Sequence, residues 1–119
     1  MNVLDIARVC HEANRALCNS AGDFSQPAWA GLPDSESEWM IQSSIDNVNG
    51  RLENPDQPKS HAHETWMQSK LDAGWVYGPI KCAEAKTHPD LVPYDDLSDF
   101  TKSKDHLFAG IVDSLSVFL

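Results

Sequence analysis

The sequence predicts a mainly α protein with a short β element: a single domain of about four helices around one core. Two observations carry that prediction. Three of four helical segments carry apolar residues spaced as on a helix with one buried face, and an N-cap and a glycine stop mark the other. Only one short segment, Trp75-Val76-Tyr77, favours β structure, and Gly78-Pro79 cuts it off at once. The 119 residues are 41% apolar and 23% charged, enough for one ordinary core and too few for two domains.

The first helix is expected over residues 3–19. Val3, Ile6, Ala7, Cys10, Ala13 and Leu17 form its apolar stripe, and the stretch Asn19 to Asp23 stops it, with Gly22 suited to a left-handed end. A loop with Pro27, Gly31 and Pro33 follows and holds Trp29 and Leu32. The second helix is expected from Ser35 or Ser37, with Glu36 and Glu38 in its first turn. Trp39, Ile41, Ile45, Val48 and Leu52 make its apolar side, and Asn54-Pro55 ends it. After a polar loop over 53–59, a third helix runs from an N-cap at Ser60 to Ala73, with Gly74 as its stop. Residues 80–97 read as mostly irregular, pinned by Pro89 and Pro93. The last helix starts near Ser98 or Asp99 and continues through Leu107, Phe108, Ile111, Val112, Leu115 and Phe118. There is no internal repeat and no low-complexity segment.

Composition excludes several functions. No apolar run is long enough for a transmembrane helix, and the N-terminus lacks the apolar stretch of a signal peptide, so no membrane role and a cytoplasmic location are expected. Cys10, Cys18 and Cys82 are an odd number without a CxxC pair, which reads as reduced thiols rather than a disulfide framework. A net charge of −9 opposes nucleic-acid binding. It leaves room for a local anion site, because Lys70, Lys81, Lys86, Lys102 and Lys104 all lie in the second half.

The segment 60–81 offers the clearest candidate site. On a helix His63, Trp66 and Lys70 fall at i, i+3 and i+7, so one face presents an imidazole, an indole and an ammonium. Such a face suits a planar, negatively charged ligand such as a nucleotide, with the ring stacking a base and the lysine meeting phosphate. The competing reading makes Trp66 a core residue packed on Met67 and Leu71, with Lys70 in water. On the first helix, His11, Glu12, Asn14 and Arg15 form a polar stripe. It is either a solvated face or a rim that lends Arg15 to a pocket.

Metal and catalytic readings find no support in spacing. His61 and His63 project about 200° apart on a helix, and His88 and His106 complete no ligand set. His63-Glu64 does not open an HExxH motif, because position 67 is Met. Neither a GxSxG elbow nor a GxxxxGK[ST] loop occurs, and Cys82 with His88 lacks a third group to orient them. No enzyme, cofactor or metal is expected.

Residues 63–105 also carry a dense pattern. It reads His63-Glu64-x-Trp66, Lys70, Gly74-Trp75-x-Tyr77-Gly78, then Lys86-x-His88-Pro89-x-Leu91-Val92-Pro93-Tyr94, Leu97, Lys102 and Asp105. This pattern resembles the RyR domain, the repeat of ryanodine receptors, which also occurs in small stand-alone bacterial and phage proteins. The upstream half is similar to the N-terminal region of the stand-alone kind. The resemblance implies a core motif over about 60–119 preceded by a helical extension over about 1–59. It further implies helices packed on a short β element that carries the GWxYG stretch.

In the receptors, paired repeats form a pocket for adenine nucleotides that includes the tryptophan of HExW and the basic residue four positions on. Those positions are Trp66 and Lys70 here. The resemblance thus implies a nucleotide-like ligand, with His63, Trp75, Tyr77, Arg15, His88 and Tyr94 completing the candidate set. Only one copy of the motif is present, so a homodimer would be needed to rebuild the paired arrangement. A phage or prophage protein that senses a host nucleotide signal is the corresponding biological expectation. A protein-interaction module using the same aromatic surface is the alternative.

Overall fold

A computed structural model describes residues 1–31, 34–58 and 60–119. The described chain is mainly helical. It comprises α1 (Val3–Ser20), α2 (Asp34–Glu53), α3 (Ser60–Asp72), β1 (Val76–Tyr77), β2 (Thr87–His88) and α4 (Asp99–Leu115), with 3-10 turns at Trp29–Gly31, Tyr94–Asp96 and Ser116–Phe118. Leu32, Pro33, Lys59 and the side chains of Asp34, Ser35, Glu36, Ser37 and Trp39 lie outside what is described, and with them the expectations placed on Leu32, Pro33, Ser35, Glu36, Ser37 and Trp39. Among the described residues no helix is long and apolar enough to cross a membrane. The chain forms two compact units, residues 1–57 with 106–119 and residues 58–105.

The first unit is built on aliphatic packing. Ile6, Val48 and Val112 are each 0% exposed and meet with Ala7 at its centre. Val3, Cys10, Ile45, Leu52, Phe108 and Leu115 pack around them, so α1, α2 and α4 each contribute part of the stripe their periodicity predicts. Asn2 caps α1 reciprocally: its side chain accepts from the Asp5 amide, and the Asp5 carboxylate accepts from the Asn2 amide. At the other end Gly22 adopts φ 85°, and the Gly22 and Asp23 amides donate back to the carbonyls of Asn19 and Cys18. That pair of bonds is the Schellman arrangement.

Two expectations for this unit change. The polar stripe of α1 is not simply a solvated face. His11 donates through Nε2 to the Pro27 carbonyl at 2.7 Å and meets the Trp29 ring edge-on at 5.5 Å. Glu12 accepts the Trp29 amide at 2.8 Å and pairs with Arg15 at 3.1 Å. The stripe therefore fastens the 3-10 turn at Trp29. That amide, aided by Arg15, holds the Glu12 carboxyl below its ordinary range. The helical period also ends before Phe118, which is 62% exposed on the 3-10 turn that follows α4. Burial pushes the Cys10 thiol up to about 11, and Cys18 is fully enclosed.

The second unit relies on backbone geometry. Ser60 is the first residue of α3 rather than its N-cap, and Gly74, at φ 89°, closes the helix. The amides of Gly74 and Trp75 return to the carbonyls of Leu71 and Lys70, a second Schellman arrangement. Residues 80–97 are more ordered than expected. β2 pairs in parallel with β1, in the register Val76 with Thr87 and Tyr77 with His88, and Cys82 bridges Thr87 from the other side. Sequence missed this strand because two residues are too short to show alternation. A Cβ at Gly78 would lie 2.6 Å from the Thr87 Cβ, so only glycine permits that approach. Lys86 reaches β2 through φ 54°, and its ammonium donates to the Ala73 carbonyl at 3.0 Å, supplying a cation to the end of α3.

Candidate functional site

The site grows from α3 and the two segments that face it. Trp66 lies half-buried on α3, 4.9 Å from the His88 ring in an edge-to-face contact. Its other neighbour is His63, 5.6 Å away, which in turn lies 6.2 Å from the Tyr94 ring. β2 delivers His88 and the 3-10 turn at Tyr94–Asp96 delivers Tyr94. The result is a row of four rings, His88, Trp66, His63 and Tyr94, drawn from three separate segments.

The members of this row differ in what they can offer a ligand. His63 is 8% exposed and donates through Nε2 to the Val92 carbonyl at 2.7 Å, so it fixes the segment before Tyr94. Nδ1 of His88 accepts the Asp90 amide at 3.0 Å, which leaves Nε2 as the donor of the neutral ring. Burial holds the His88 pKa below its ordinary value, and Lys81 and Lys70 push it the same way against the opposing charge of Asp90. His88 is therefore neutral near pH 7, with two ammonium groups close enough to be felt.

The helical wheel sets Lys70 on the face of His63 and Trp66, and the structure gives its ammonium a third ring. Its ammonium rests over the Trp75 ring, 4.5 Å from the centroid. The chain turns at Gly74 and folds Trp75 back toward α3, a non-local event that a wheel cannot show. Trp66 departs in part from the core reading. It is half-buried among imidazoles, while Leu71, its expected core partner, is exposed. Tyr77 is exposed on β1. Arg15 belongs to the other unit, where its guanidinium meets Glu12.

Two of the second-half lysines gain neighbours that the sequence did not assign. Lys81 bears on His88 with no local motif to mark it. Lys102 lies over the Tyr94 ring at 5.5 Å and donates to the Asp95 carbonyl at 3.2 Å. It was visible as a motif position, without a role. A groove of about 280 Å3 is lined by Ser60, Glu64, Met67, Pro93, Tyr94 and Asp95. Two of these lining residues, Glu64 and Asp95, carry carboxylates. Among the described residues no group of three or more His, Cys, Asp or Glu side chains is placed to hold a metal ion.

This ring row, the Schellman glycine and the β1–β2 pair coincide with the motif positions from His63 to Tyr94. The family model for the RyR domain matches residues 52–118. With more than half of its length matched, this chain belongs to the RyR-domain family.

Proposed function

We propose that this chain is a non-catalytic binding module for a nucleotide or nucleotide-derived small molecule, which it takes on the face carrying Trp66, His88, Lys70 and Lys81. One arrangement carries the reading: the Trp66 ring meets the His88 ring at 4.9 Å, and the Lys70 ammonium lies 4.5 Å over the nearby Trp75 ring. The lysines supply charge for a phosphate, the His88 Nε2–H supplies a directed donor, and Trp66 and Trp75 supply ring surface for a base. In a phage or prophage setting such binding would sense or sequester a host nucleotide signal.

Calorimetry with ATP, ADP and ADP-ribose tests the proposal, and the absence of heat with all three at millimolar ligand ends it. Lys70→Ala and Lys81→Ala are each expected to weaken binding about tenfold, the weight of one charge-assisted contact. Trp66→Ala should abolish binding while the protein stays folded; unfolding would assign Trp66 to packing alone.

A second reading rests on a different observation. Leu71, Val76, Tyr77 and Ile80 are all exposed, Ile80 at 74%, which favours a docking surface for a protein chain, a second copy included. Tyr77→Ser with Ile80→Ser separates the two. Loss of self-association with nucleotide binding intact supports docking, and loss of nucleotide binding places this surface in the ligand site.

A further inference from the structure

The groove beside Tyr94 takes no part in the nucleotide reading. Ser60, Glu64 and Met67 reach it from the first turns of α3, and Pro93, Tyr94 and Asp95 from the following 3-10 turn. Its volume of about 280 Å3 falls just under the roughly 300 Å3 at which small-molecule pockets begin. One long side chain suits it better than a whole nucleotide.

Its chemistry narrows the occupant further. Among the described residues the lining holds two carboxylates, an aromatic ring and a thioether, and no cationic side chain. Among the described residues neither Glu64 nor Asp95 forms an ion pair. Lys102 engages the Tyr94 ring and the Asp95 backbone carbonyl, which leaves the Asp95 carboxylate outside that contact. The Tyr94 hydroxyl is held above its ordinary pKa by burial first, and then by the negative charges of Asp105 and Asp95. A phosphate would be repelled here, whereas a cation on an apolar stem meets complementary charge and ring surface.

We infer that this groove docks an arginine side chain from an extended segment of a partner protein. Arginine fits better than lysine, because its planar guanidinium can bridge a carboxylate with two bonds and stack on a tyrosine ring. Met67 and Pro93 offer apolar surface to its methylene stem. The inference does not depend on nucleotide binding, since its residues and its charge sign are different.

The test is an NMR titration of the full chain with the tripeptide N-acetyl-Gly-Arg-Gly-amide, with a citrulline tripeptide as the neutral isostere. The arginine peptide should shift the amide resonances of Glu64, Met67, Tyr94 and Asp95 saturably, while the citrulline peptide leaves them in place. Glu64 and Asp95 are both exposed, so Glu64→Gln and Asp95→Asn should fold normally. Each should weaken the peptide about tenfold, as loss of a charged hydrogen-bond partner does. No shift at millimolar peptide overturns the inference, and so do equal shifts with citrulline. Saturation of the same resonances by free guanidinium or spermidine as tightly as by the peptide also overturns it, as a small-cation site.

Discussion

The two compact units are held together in different ways. In the first, α1, α2 and α4 bring aliphatic side chains to a common centre, where Ile6, Val48 and Val112 have no exposed surface. In the second, the buried residues among those described are His63, Gly78, Leu91 and Leu97, and much of the organisation comes from ring contacts, a left-handed glycine and a two-residue strand pair. An aliphatic helical core accepts many sequences of the right pattern and volume. A unit that needs glycine at position 78 and an imidazole bonded to a particular carbonyl accepts few. The dense family motif accordingly falls on residues 63–105, where identity rather than polarity is specified.

Several experiments can break or sharpen this contrast. The largest effect is expected from Ile6→Ala, which should lower stability by about 2–5 kcal/mol in urea unfolding, as for other fully buried aliphatic truncations. Gly78→Ala comes next. Its new methyl would meet Thr87 at 2.6 Å, so about 1–3 kcal/mol should be lost. Amide exchange should accelerate first at Val76, Gly78 and Thr87, and acceleration centred on α1 and α2 would break the contrast. Gly74→Ala forces a methyl into φ 89° and should cost about 1 kcal/mol.

Arg51 grips Asp113 at 2.8 and 3.1 Å. Asp113 is half exposed, and Arg51→Ala should cost at most about 1 kcal/mol.

A pH series near neutrality probes the second unit through His88. The His88 pKa is depressed on folding, so the unfolded chain takes up its proton more readily than the folded one. The stability this group contributes is in place above about pH 6.5 and is lost as the pH falls through the folded value. His88→Gln should flatten that part of the stability curve, measured as urea midpoints. An unchanged slope would move the acid sensitivity elsewhere, Glu12 being the next candidate by the same sign.

The contrast also explains what could be read from the sequence. The four helices were legible because their stripes and stop signals are local: the Gly22 and Gly74 stops appear where periodicity placed them. β2 was not, nor was the bond from His63 to Val92, because each depends on partners brought from a distance. The grouping of His63 and Trp66 followed from helical geometry. The placement of Lys70 over Trp75, the pressure of Lys81 on His88 and the acidic groove did not, since chain reversal at Gly74 and the approach of the Tyr94 turn decide them.

The enclosure of Cys18 has a practical consequence. A thiol reagent can attack it only after the surrounding structure has opened, and Cys10, with its pKa near 11, presents almost no thiolate meanwhile. Cys82 is less enclosed and belongs to the other unit. The unmodified chain thus carries its own clock. The lag between labelling of Cys82 and of Cys18 by a neutral-pH alkylating agent reports how often the aliphatic unit opens, without any introduced probe.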